Sequence, residues 1–231
     1  MFYVGIDDTD VIGSLGTNKL ARSLIGSVSE QFSTILAVRH QLLFDPRVPY
    51  TSKNSAASIV FEPREGNSLQ DLAALLCRAM MEWFVEGSDP GLCITENVPP
   101  EVIRFGRRCQ CEVVSQAEAR ELATAHGIYL EGLGGTNDGM IGALAAVGLF
   151  AGGNDGRVVA IDNHPDDLEG QQAASFLHSR GVAEIRVVDS DEILRAGKVD
   201  VGKHLRPNYR DGKVVLYVES TRNGWQAVRR Q

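Results

Sequence analysis

At 231 residues, 43% of them hydrophobic and 23% charged, the chain can bury one large core or two modest ones, and a disordered polymer is excluded. Its formal charge of −7 argues against a broad electrostatic grip on nucleic acid, while leaving room for a local basic groove. Met1-Phe2-Tyr3 lacks the basic start and apolar stretch of a secretory signal, and no apolar run is long enough to span a bilayer. The expected location is therefore the cytoplasm, with no membrane partner.

Residues 2–6 read as a strand. A loop through Gly13 and Gly16 leads to a helix expected over residues 17–32, where Leu20, Leu24, Ile25 and Val28 recur near the 3.6-residue period. Residues 33–44 are strand-like until Asp45-Pro46 and Pro49 open a long loop before a strand over 57–62. A second helix is expected over 68–85, capped by Ser68, with Leu69, Leu72, Leu75, Leu76 and Met80 on one face. Asp89-Pro90-Gly91 is a turn before a strand over 92–95, Pro99-Pro100 opens a short helix, and 109–114 reads as a strand. Ser115, three residues before Glu118, forms a capping box for the next helix, which Gly127 closes. Residues 128–131 lead into a glycine loop and a helix to about 150; 151–156 is the linker candidate, dividing the chain into 1–150 and 157–231. Beyond it come a strand over 158–161, a helix over 165–180, a strand over 184–188, and a hairpin from 213–218 and 225–228. The fold class is thus α/β to α+β, a mixed sheet with packed helices and a smaller C-terminal strand-helix-strand part. Cys77, Cys93 and the pair Cys109 and Cys111 fall in helix and strand patterns with no zinc spacing, so core burial is expected and no disulfide is assigned.

Three stretches carry chemistry. Gly5-Ile6-Asp7-Asp8-Thr9-Asp10 places three carboxylates at the end of a buried strand, where their repulsion must be offset. Either Mg2+ is held by oxygen ligands there, or the segment is a solvated acidic turn capping the next helix. Gly132-Leu133-Gly134-Gly135-Thr136-Asn137-Asp138-Gly139 precedes an apolar helix. It reads either as a phosphate cradle of backbone N–H groups at a helix N-terminus or as a tight turn packed against a sheet. It is neither a P-loop nor a dinucleotide fingerprint. In residues 46–57, Lys53 can pair with a phosphate and Ser52, Asn54 and Ser55 can donate hydrogen bonds, unless this is an ordinary solvated loop. His40 and His178 read as structural residues, Arg104, Arg107 and Arg108 as a small basic patch, and His204 with Arg206 as a surface loop able to reach an anion.

Taken in order, these stretches resemble the N-terminal half of the tRNA-isoleucine 2-agmatinylcytidine synthetase family. That family opens with G-I-D-D-T-D, carries a P-x-K-T-R-G-N-x-A loop matching residues 49–57 and a D/E-P-G turn matching Asp89-Pro90-Gly91, and has a G-x-G-x-x-G-x-I-G-A-L-A-x-x-G stretch matching residues 134–148. The resemblance covers roughly residues 1–150. It implies a site for ATP and Mg2+, with Asp7, Asp8 and Asp10 as metal ligands and, with Lys53, as catalytic groups. Thr9, Thr17, Ser52, Gly134, Gly135, Thr136, Asn137 and Gly139 would lie near the nucleotide. The implied activity is phosphoryl or nucleotidyl transfer to a small-molecule or unidentified acceptor, or nucleotide sensing without transfer, and a homodimer is compatible with it. The departures are informative. Asn18 stands where the family has a Thr implicated in carrying phosphate, Thr51 replaces a Lys, Lys53 an Arg, and Asn54-Ser55 a Gly-Asn pair. The chain shows no counterpart of the family's OB-fold and zinc-ribbon modules, so tRNA is not the favoured partner unless a separate RNA-binding subunit supplies the grip.

Overall fold

The computed structural model describes residues 1–7, 16–48, 54–162, 164–165 and 167–230. Its elements run β1 (Phe2–Asp7), α1 (Thr17–Ser27), β2 (Phe32–Gln41), β3 (Ser55–Pro63), α2 (Leu69–Glu82), β4 (Gly91–Thr95), α3 (Pro100–Arg108), α4 (Gln116–Ala125), β5 (Tyr129–Gly132) and α5 (Gly139–Ala151). They continue as β6 (Arg157–Ile161), β7 (His164–Pro165), β8 (Gln171–Ala173), α6 (Ala174–Ser179), β9 (Glu184–Val187), β10 (Lys198–Asp200), β11 (Asn208–Arg210), β12 (Lys213–Thr221) and β13 (Gly224–Ala227). One sheet holds these strands in the order β5-β4-β1-β3-β2-β6-β11-β12-β13-β10-β8, with β7 on β6 and β9 on β12. The pairings are antiparallel except β10 with β13 and β9 with β12, so the fold is α+β.

Helices α1 and α2 cover one face of the N-terminal strands, burying Leu20, Leu24, Leu72 and Leu76 against Val4, Ile6, Ile59 and Phe61. On the opposite face α5 is buried all round from Gly142 to Phe150, as expected of a helix with no polar side. Small residues let it approach unusually closely. A Cβ on Gly5 would lie 1.9 Å from Ala143 O, one on Gly91 2.1 Å from the carbonyl carbon of Gly139, and one on Gly148 2.0 Å from Val102 O. Helix α5 is thereby clamped between β1, β4 and α3. No helix among the described residues is long and apolar enough to cross a membrane.

Three expectations are corrected. The first helix stops at Ser27, because Phe32 is a fully buried strand residue packed edge-on against Phe2 and Phe61 at 6.1 and 6.4 Å. Residues 109–114 are a turn, not a strand: Cys109 caps α3 and its carbonyl accepts from Leu43 N–H (3.0 Å). Cys109 is consequently buried while Cys111 is exposed, although C-x-C on a strand would put both on one side. The helix expected over 165–180 is reduced to α6, because Gly170 has φ +66° and residues 171–173 pair with β10 instead. The capping box at Ser115 is half made. Glu118 N–H donates to Ser115 Oγ, whereas the full reciprocal box occurs at Ser68 with Asp71.

Candidate functional site

Asp7 ends β1 beside Gly91 of β4, which in turn lies beside Gly132 of β5. The first turn of α5 sits on this row. Its Gly142 comes so near that a Cβ there would be 1.6 Å from Asp7 Oδ2. The Asp7 carboxylate, 8% exposed, is therefore held near a helix N-terminus, where the dipole favours negative charge. Only glycine leaves it room.

The glycine loop is anchored by Asp89. Asn137 N–H donates to its Oδ1 (2.9 Å) and the Thr136 hydroxyl to its Oδ2 (3.0 Å), so these two expected phosphate donors already meet a carboxylate. Gln116 fixes the other side, donating to Thr136 O (2.8 Å) and Asp138 Oδ1 (2.5 Å). Gly135 (φ +58°) and Asn137 (φ +67°) take left-handed conformations. Gly134 packs on the Phe84 ring, and Gly139 lies where a Cβ would be 1.8 Å from Asp89 O. Sequence reasoning named Asp89 only as part of a turn and missed Gln116 altogether. The D-P-G match was the available signal for the first; a surface Gln at the start of a helix carries none.

Across β1, the start of α1 approaches β3: Thr17 Oγ1 donates to Ser55 O (3.3 Å). Asn18 Oδ1 is buried without a hydrogen-bond partner among the described residues. Asp8, Thr9, Asp10, Ser52 and Lys53 lie outside the described residues. The structure thus brings Asp7 under α5 with Gly134, Gly135, Thr136, Asn137 and Gly139 along one edge of the sheet, and sets Thr17 at the start of α1. Among the described residues no three His, Cys, Asp or Glu side chains gather as a metal set, Asp7 being the described member of the expected trio.

Away from this edge, His40 lies between Asp155 Oδ2 (2.7 Å from Nδ1) and Ser58 Oγ (2.8 Å from Nε2). The order resembles a nucleophile triad, but Ser58 is 2% and His40 0% exposed, so no substrate reaches it. It ties β2 and β3 to the start of β6, with Gln110 donating to Asp155 Oδ1 (3.0 Å). The Arg104 and Arg108 patch is neutralised by Glu101, Glu112 and Glu118.

No family model and no curated protein matches the chain. Among solved structures it is similar to a tRNA fluorescent labeling enzyme, at 26% identity and TM-score 0.56 over 64% of this chain and 35% of that one. It is also similar to TiaS, a tRNA agmatidine synthetase. The likeness to apo TiaS is 25% identity at TM-score 0.54, over 64% of this chain and 35% of that one. That to TiaS in complex with tRNA and ATP is 25% at 0.57, over 64% and 36%. Over that stretch, the chain shares the TiaS fold. It spans little more than a third of the length of TiaS. The likeness expected from the ordered motifs is present in three dimensions.

Proposed function

We propose that the chain is an ATP- and Mg2+-dependent phosphoryl or nucleotidyl transferase acting on a small molecule or an acceptor still to be identified. The observation that carries this reading is the likeness to TiaS over 64% of the chain, in a fold that sets Asp7 and the glycine loop around the first turn of α5. TiaS has been crystallised with ATP and its tRNA, and a relative built on the same fold supports an ATP site here. Residues 1–150 would form the nucleotide-binding part and 157–231 a smaller C-terminal part.

The donor chemistry suits a hard cation: Asp7 presents carboxylate oxygens at a strand end, and Asp8 and Asp10 follow it in the chain. Bound Mg2+ would neutralise phosphate oxygens for an in-line displacement. Asp7, Asp8 and Asp10 would hold it, Gly142 keeping Asp7 in position. Lys53 would pair with a phosphate oxygen, with Ser52 and Thr9 as neighbouring donors. Thr17 and the α1 N-terminus would face the same phosphates. Asp89 and Gln116 would keep the glycine loop in one shape, making it a rigid wall for the nucleotide.

Calorimetric titration with ATP, with and without Mg2+, tests the site: Mg2+-dependent binding that Asp8→Ala abolishes is expected, and its absence refutes the reading. Product analysis then separates ADP from AMP with pyrophosphate. A second reading, a nucleotide sensor without transfer, is favoured by Asn18, whose amide cannot carry a phosphoryl group as the matching Thr would. Tight binding with no product above background would select it. Binding of tRNA that weakens steeply with salt would support action on tRNA with a separate RNA-binding subunit.

A further inference from the structure

A group of like charges gathers on the α1 face of the sheet, away from the Asp7 edge. Arg39 of β2 and Arg157 of β6 are direct cross-strand partners, a pairing that sheets ordinarily avoid. Both lie on the face where Ala37 and Val159 pack under α1, because Val38, His40 and Val158 point to the other side. Arg206 joins them from the segment before β11 and Arg229 from the C-terminal tail, while Arg22 of α1 feels Arg206. The tail is fixed in place. Val228 N–H donates to Tyr217 O (2.9 Å), Asn208 donates to Arg230 O (2.8 Å), and the Arg230 guanidinium lies 4.9 Å from the Tyr217 ring centroid.

Asp167 offsets Arg22 and is shared with Arg180 at 3.3 Å. The charges that act on Arg157 and Arg206, among the described residues, are other guanidiniums. Arg157 Nε is buried with no hydrogen-bond partner among those residues. Burial, then Arg206, Arg39 and Arg229, lower the Arg157 pKa to about 10, which leaves it charged at neutral pH. In a chain of net charge −7, nothing in the composition forces arginines together. Arg206 and Arg229 also line a surface cleft of 330 Å³ with Lys203, His204 and Gln226.

We propose that Arg157, Arg206 and Arg229 form a phosphate-binding site beside this cleft. Guanidinium forks match the oxygens of a phosphate bidentately, so several forks around one point suit a phosphate group. The phosphate is either that of a free phosphorylated small molecule or a diester of an RNA backbone. Arg157 lies three strands from Asp7, about 14 Å at ordinary strand spacing, so the proposal stands apart from the nucleotide reading.

The test uses the full chain without ATP or Mg2+. Pyrophosphate and a short single-stranded RNA are titrated separately by calorimetry against sodium chloride of matched ionic strength, in the wild type and in Arg157→Gln and Arg229→Gln. Saturable binding of either ligand, weakened about tenfold or more in both variants, is expected. Arg157→Gln should also melt higher than wild type without ligand, since it removes repulsion. Binding by pyrophosphate but not RNA assigns the site to a small phosphorylated molecule; binding by RNA but not pyrophosphate assigns it to a nucleic-acid backbone. Arg229 is exposed, so its variant reports even if Arg157→Gln folds poorly. No saturable binding above the salt control, or affinity in Arg229→Gln within twofold of wild type, overturns the proposal. Loss of ATP binding in Asp8→Ala has no bearing on it.

Discussion

Alanine at Gly142 would set a methyl carbon 1.6 Å from Asp7 Oδ2, 2.4 Å from its carboxyl carbon and 2.9 Å from its Cβ. Ordinary contact begins at 3.4 Å, so either the carboxylate withdraws by roughly 1.8 Å or α5 lifts from β1. The helix is the harder of the two to move, because Gly5 and Gly91 already hold backbone against backbone along the same line. Asp7 therefore takes the displacement, within a site that leaves it 8% exposed. Overpacking of this kind costs about 1–3 kcal/mol, or about 2–4 °C of melting temperature per kcal/mol at this chain length. Asp7→Ala removes the obstacle, so the double variant should show a coupling energy of at least about 1 kcal/mol in urea unfolding. If Asp7 serves the nucleotide site, Gly142→Ala should also weaken Mg2+-ATP binding by about tenfold, roughly 1.4 kcal/mol. Additivity of the two single changes within about 0.5 kcal/mol, or a Gly142→Ala melting temperature equal to wild type, would refute this geometry.

Gly26, in the last turn of α1, has nothing within 4 Å of an added Cβ, so Gly26→Ala should stabilise the chain by about 0.5–1 kcal/mol in urea unfolding; destabilisation would contradict the open space seen there. Burial pushes the Asp155 carboxyl up, but the hydrogen bond and charge of His40, with the Gln110 hydrogen bond, leave it below its usual value. A lowered folded-state value gives stability that is present above the unfolded pKa of about 3.9 and is lost as pH falls through the folded value. Wild type should accordingly lose stability faster than Asp155→Asn below about pH 4, and parallel acid limbs would count against the network. Thiol labelling should find Cys111 fast, Cys77 slow, and Cys93 and Cys109 protected until unfolding, since burial pushes the last two thiols up, Cys109 to about 12. Rapid native labelling of all four cysteines would mean that the core around α3 is not closed.

Much of the N-terminal part was legible because its signals are local. The apolar stripe of α2 and its Ser68 cap lie within single turns, and α2 formed within a few residues of its expected bounds. The apolar helix expected up to about residue 150 formed as α5, and the ordered motifs by themselves pointed to the TiaS fold. Local signals also misled. Alternation over residues 109–114 mimicked a strand where the chain was only turning out of α3, and residues 171–173, inside the expected helix, found a strand partner in β10.

Periodicity, caps and turn residues are properties of neighbours in the chain, so the sequence alone determined most of the helices and strands of the N-terminal part and where the acidic and glycine-rich stretches stand. Which strand lies beside which is a sum of many weak contacts between distant segments, and no short window contains it. For that reason only the tertiary structure decided that Asp89 and Gln116 brace the glycine loop and that Gly142 is the residue making room for Asp7. The meeting of Arg157, Arg206 and Arg229 has the same origin: far apart in sequence, they become neighbours through the pairing of β2, β6 and β11 and the packing of the C-terminal tail.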